Sequence, residues 1–324
     1  MTYSTIERIE ACFAGIAVGD AVGKQTETLS HGEVSHWYRH GLRGFEGTPG
    51  AIIPRYLGNP KYEWRIGETT DDTERTVAVA NAIIANRTVS HVSVGREMLR
   101  CVKCVHPGVR SLWQFHQAGD PARTTTEHDG CGAAVRVAAV GMIYRSRSFD
   151  RLVSGAREAS ISTHGGSLAV AAAAATAAAV SAAIDGAGSH EVFAISERAA
   201  ADAERRWPGS KPPAFAQAIL AVHEHLAGLP RIGAEDIAAR CFPDRPLTIV
   251  PLALALATLM QSAEDAILLA ANVGGDSDSV ASIAGGILGA MYPATVNQHW
   301  LDVVNHVNGH TFGALARDLA RIRH

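Results

Sequence analysis

A chain of 324 residues with 47% hydrophobic content can bury a large core, and its length alone allows one or two domains. A formal net charge of −3 offers no basic field for a phosphate backbone, which argues against a nucleic-acid polymer as ligand. The five cysteines, Cys12, Cys101, Cys104, Cys131 and Cys241, are an odd set without framework spacing, as expected of a reduced, cytoplasmic protein and not of a disulfide-stapled secreted one.

No basic stretch followed by an apolar one opens the sequence, so no signal peptide is expected. Ile6, Ile9, Phe13 and Ile16 then recur at helical spacing, with Gly15 and Gly19 admitting a close neighbour, and this first helix should end near Gly23. Residues 24–67 carry Gly, Pro and Trp with little periodicity, the longest irregular segment and a candidate for substrate-contacting loops. Helices are predicted from Asp71 to about Ala85 and from about Ser90 to Val105. More are expected near 130–145, 148–160, 164–184, 189–206, 212–226, 234–241, 247–260, 263–271, 276–291 and 300–320. The run Leu168 to Ile184 is mostly alanine with Thr and Ser included, which suits a buried helix better than a membrane span, so no membrane partner is expected. Period-two alternation is scarce, no linker divides the chain, and no solenoid repeat is visible; the expectation is one all-α domain over residues 1–324 with strands few or absent.

Two acidic motifs about 200 positions apart carry the chemistry: Thr70-Asp71-Asp72-Thr73, and Gly274-Gly275-Asp276-Ser277-Asp278-Ser279. Four carboxylates with flanking hydroxyls, and no Cys or His among them, match the all-oxygen coordination of Mg²⁺, Mn²⁺ or Ca²⁺. Asp71 and Asp72 diverge on any regular backbone, which suits two neighbouring ions or one ion plus a supporting contact. Gly274-Gly275 allows a tight backbone approach just before a helix start. The competing reading is helix capping, since both motifs lead into apolar-periodic stretches. Capping needs one such residue per helix, and the clusters here are larger than that.

Cys101-Val102-Lys103-Cys104 forms a CxxC, but it lacks a second ligand pair and a βαβ context, so structural cysteines on a helix are expected. His223-Glu224-His225 and His306 to His310 have no third ligand nearby and read as surface or core histidines.

Four segments together resemble the ADP-ribosylglycohydrolase family: Gly15 to Gly23 and on to Glu27, then Thr70 to Thr73, Gly130-Cys131-Gly132-Ala133-Ala134-Val135-Arg136 to Gly141, and Gly274 to Gly289. They span residues 15 to 290 in the family's order, and the last, beginning GGDSDSVASIAGG, is the most specific. The resemblance implies an all-α, compact orthogonal helical bundle with a binuclear centre of two Mg²⁺ (or Mn²⁺) ions that hydrolyses a glycosidic bond at the ribose anomeric carbon. It also implies metal ligation by Thr70, Asp71, Asp72, Asp276, Asp278 and Ser279, and a catalytic role for Glu27 beside Asp278. Two cations roughly 3.5–4 Å apart suit this chemistry, because they chelate a ribose diol and activate water. A nearby carboxylate then stabilises an oxocarbenium-like state.

Gly130, Cys131 and Gly132 offer backbone N–H groups as an anion seat, with a bare helix entry as the equal alternative. His164 is either a wall of the site or a cap, and Gly275 and Ser277 complete the expected substrate-binding set. Asp20 is open to three roles: support of the ligands, a pair with Arg136, or a buried structural carboxylate. Departures from the family pattern, Cys131 for the frequent asparagine and Val135 for methionine, fall on the expected walls and not on the ligands. The expected substrate is therefore an ADP-ribosylated protein or a ribosylated small molecule. An N-glycosidase acting on a nucleoside-sized metabolite and a non-catalytic binding relative are the alternatives.

Overall fold

The computed structural model describes residues 2–210 and 214–324; among them sixteen α-helices and three short 3₁₀ turns make up the regular structure, with one isolated antiparallel bridge between Ile52 and Arg65. Helix α1 (Thr5–Gly23) starts at a capping box in which Ser4 and Glu7 satisfy each other's backbone N–H groups. Its glycines then press it against α14 (Ser277–Met291). A Cβ on Gly23 would lie 2.5 Å from Asp278 Cα, and one on Gly19 would lie 2.7 Å from Ser282 N. Only glycine leaves room for this approach, and it sets the end of the first motif beside the start of the last.

Helix α14 is buried along its whole length, and α8 (Ser167–Asp185) and α12 (Pro246–Leu259) are buried almost throughout. Their alanines let neighbouring axes approach closely. Helix α8 is long and apolar enough to cross a membrane, yet 89% of its most apolar window is buried inside the protein, as the alanine-rich reading expected.

Several expected boundaries move. The irregular segment holds α2 (His31–Trp37), started by a Ser30–Glu33 capping box, and a 3₁₀ turn at Pro54–Tyr56. Helix α3 (Asp71–Asn86) begins where predicted. The next was expected to reach Val105, but α4 (His91–Met98) stops early. Beyond it the N–H groups of Val102 and Lys103 bond the Glu74 carboxylate at 3.1 and 3.0 Å instead of continuing a helical ladder. Cys101 and Cys104 therefore lie past the helix, not on it. The short α5 (Arg110–Ala118) buries only Leu112 and Phe115, too brief a pattern for periodicity to reveal.

The helix expected over 130–145 is divided into a 3₁₀ segment at Cys131–Arg136 and α6 (Ala138–Ile143). Arg136 explains the break: its buried guanidinium bonds Gly132 O, Ala159 O, Ser160 O and Thr163 Oγ1, drawing a carbonyl of its own turn out of the α ladder. Helices α7 (Phe149–Ser160), α9 (Ser189–Arg206), α10 (Phe215–Ala227), α11 (Ala234–Arg240) and α13 (Ala263–Val273) follow the expected order, although the predicted start of α10 at 212 lies outside the described residues. The last expected helix breaks at Gly309, whose φ of +69° terminates α15 (Gln298–Asn308) before α16 (Phe312–Arg321).

Asp20 faces α3, so the pairing with Arg136 does not occur. Its carboxylate accepts the N–H groups of Thr70 at 2.9 Å and Thr73 at 3.0 Å, together with the Thr73 hydroxyl, and so anchors the positive end of α3 to α1. Asp20→Asn removes one acceptor oxygen from this buried set and is expected to lower stability by about 1–2 kcal/mol. A urea midpoint equal to that of the wild type would show that the anchor contributes nothing.

Candidate active site

The two acidic motifs meet. Ser279 Oγ donates to Asp72 Oδ2 at 3.1 Å, joining the N-termini of α3 and α14 across 207 positions of sequence. Capping accounts for part of the cluster: Thr70 Oγ1 accepts from Asp72 N at 3.2 Å and caps α3. It does not account for Asp276, which holds the N-cap position of α14 without making a side-chain cap bond. Asp276 instead accepts the Cys131 thiol at 3.1 Å, which brings the third motif to the same place.

Each carboxylate is turned onto a protein partner. Asp71 pairs with Arg75 one turn along α3. Lys24 Nζ contacts Glu27, lies 3.9 Å from Asp278 Oδ2, and sits 4.3 Å from the centre of the Trp64 ring. With the groups so engaged, no three His, Cys, Asp or Glu side chains converge as ligands among the described residues.

Burial pushes the Asp72 carboxyl well above the usual carboxylate range, and Asp71, Asp20 and Asp276 add to it. Asp278 is raised by burial and then by Glu27, with Lys24 acting against both. Burial, followed by Asp276 and Asp72, likewise raises the Cys131 thiol, so it meets Asp276 as a neutral donor. Burial opposes ionisation of these acids unless a cation balances them, and an all-oxygen set of four carboxyl groups and two hydroxyls fits a hard divalent cation.

The walls come from the third motif. The His164 ring lies against Gly130 and Gly132: a Cβ on Gly132 would fall 2.9 Å from His164 Cε1. Thr163 Oγ1 at 2.8 Å and Ser111 Oγ at 3.3 Å hold its two nitrogens. Burial, then Arg136 and Arg75, depresses its pKa well below the ordinary value, so the ring is neutral. The stretch Gly130 to Gly132 opens a six-residue 3₁₀ segment, not an α-helix as expected.

Gly275 and Ser277 are turned inward. Gly275 has φ +69° and exchanges backbone bonds with Thr28 and Leu29 at 2.7 and 2.8 Å. Ser277 is fully buried and donates to Gly23 O at 2.9 Å, which holds α14 to α1. Glu27 keeps a quarter of its side chain exposed, and Arg55 clamps its segment by bonding the carbonyls of Lys24, Gln25 and Glu27. Sequence reasoning missed Lys24, Arg75 and Trp64. Arg75 carries a signal, its i+4 spacing from Asp71 on a helix, whereas Trp64 lies in a loop whose path no local pattern encodes.

The family model for ADP-ribosylglycohydrolase matches residues 1–324. The chain is 27% identical to the Escherichia coli protein YegU, covering 98% of this chain and 97% of that one. It is 22% identical to the ADP-ribosylarginine hydrolase Tri1 of Serratia proteamaculans, covering 92% and 75%. A solved structure described as an ADP-ribosylglycohydrolase-related protein complex superposes with a TM-score of 0.71 at 23% identity, over 99% of each chain, and so shares the fold. The family match and the named relatives place the chain in a class of hydrolases acting on ADP-ribose linkages. The chain belongs to the ADP-ribosylglycohydrolase family.

Proposed function

We propose that this chain is a divalent-metal-dependent hydrolase that releases ADP-ribose from an ADP-ribosylated protein or small acceptor, acting in the cytoplasm as one domain over residues 1–324. The observation that carries this reading is the meeting of Asp72 and Ser279, which gathers carboxylates from two distant motifs at the junction of α3 and α14. Thr70, Asp71, Asp72, Asp276, Asp278 and Ser279 line the place where Mg²⁺ or Mn²⁺ would be held. Bound there, the metal supplies Lewis-acid polarisation and a grip on a ribose diol.

The protein's own groups supply the rest. Glu27, partly exposed at the edge of the cluster, takes the proton of the attacking water, and Lys24 fixes the orientation of its carboxylate. The carboxyl groups gathered at Asp72 and Asp278 face the positively charged, oxocarbenium-like ribosyl group as the leaving group departs. Neutral His164 and the Gly130–Gly132 backbone form the wall on which the rest of the substrate rests.

A panel of ADP-ribosylated proteins and peptides, incubated with the enzyme and Mn²⁺, should yield free ADP-ribose. Failure on the whole panel together with cleavage of a nucleoside would overturn the substrate assignment and leave a smaller ribosylated metabolite in its place. Glu27→Gln is expected to reduce kcat by about 10²-fold or more, and to lower the thermal midpoint because the enclosed Lys24 ammonium loses its contacting carboxylate. Undiminished turnover in this variant would assign the proton transfer elsewhere.

A further inference from the structure

We infer that the site takes one divalent ion and not a pair, because the Lys24 ammonium stands where a second cation would balance Glu27 and Asp278. This inference deepens the proposed function and rests on its metal-dependent reading.

Lys24 is enclosed. Its side chain is 5% exposed, with Glu27 in contact with Nζ, Asp278 Oδ2 3.9 Å away and the Trp64 ring 4.3 Å below. The main chain that carries it is pinned as well, since Arg55 bonds the carbonyl of Lys24 itself and those of Gln25 and Glu27 after it. An ammonium gripped by two carboxylates and an aromatic face does not leave for water without exposing three partners at once. A dication on the same Asp278 oxygen would face this fixed positive charge at short range.

At the other edge of the cluster the same logic removes Asp71, which is neutralised by buried Arg75. Asp72 and Asp276 remain as the two carboxylates whose nearest partners are neutral, the Ser279 hydroxyl and the Cys131 thiol, each at 3.1 Å. These two acids, held only by neutral partners, mark the position of the single ion.

Manganese tests this without reference to turnover. Equilibrium titration of the full chain, followed by electron paramagnetic resonance, is expected to find one Mn²⁺ per wild-type chain with an uncoupled six-line spectrum. Lys24→Met should bind two and show spin coupling between them, and Lys24→Arg, which keeps the charge, should stay at one. Two coupled ions in the wild type would overturn the inference while leaving the proposed function intact, and a single ion in folded Lys24→Met would overturn the role of Lys24. No bound ion in the wild type would sink both the inference and the metal dependence, and ADP-ribose release assayed in parallel reports on the hydrolase reading by itself.

Discussion

Asp72→Ala is expected to lower ADP-ribose release by about 10⁴-fold, the largest effect of any single change in this chain. Asp72 lies almost wholly buried at the first turn of α3, with Ser279 on one oxygen and three other carboxylates raising its energy. Such an arrangement is costly for folding and has no packing purpose that an apolar residue would not serve better. A metal site with Lewis-acid duties contributes several kcal/mol to a transition state, and each 1.36 kcal/mol is a factor of about ten. Removing the carboxylate also removes a repulsive buried charge, so the variant is expected to unfold at the same or higher temperature than wild type. Loss of activity with retained or improved stability is therefore the diagnostic pair, read by steady-state kinetics with Mn²⁺ and by thermal unfolding. An Asp72→Ala protein that turns over substrate at the wild-type rate would remove this residue from the catalytic centre.

Gly19→Leu is expected to destabilise the protein by about 3 kcal/mol, the largest structural effect. A Cβ at position 19 would overlap the Ala281 carbonyl and lie 2.7 Å from Ser282 N, atoms that belong to a backbone and cannot rotate away. Helix α1 would have to lift from α14, and the junction that sets Gly23 beside Asp278 would open with it. Activity should fall in step with stability. Gly32→Ala, at a position with nothing within 4 Å of the added carbon, serves as control and should leave the urea midpoint unchanged or slightly raised. Equal midpoints for Gly19→Leu and wild type would mean that the two helices are not tightly seated.

Much of the helical content was legible because it rests on local chemistry. The start of α3 at Asp71 and the alanine-rich α8, expected over 164–184 and found over Ser167–Asp185, sit close to where the pattern put them. Errors fell where distant groups intervened. Glu74 captured the N–H groups beyond α4, Arg136 pulled a carbonyl out of its own turn, and α5 was too short to show a period. In the candidate site, residue type and motif spacing pointed to Asp72, Asp276 and Ser279, and the fold brings the motifs that carry them together. They did not reveal that Ser277 faces Gly23, that Asp20 holds α3, or that Lys24 lies among the acids.

What the sequence determined alone is the residue chemistry on offer: carboxylates and hydroxyls at two helix starts within a helical chain, since side-chain type and helix capping are properties of residues and their near neighbours. Only the tertiary structure decided which charges face one another. The glycine contact between α1 and α14 places an ammonium and a carboxylate from opposite ends of the chain within 3.9 Å, and electrostatic energy depends on that separation in space and not on separation along the chain.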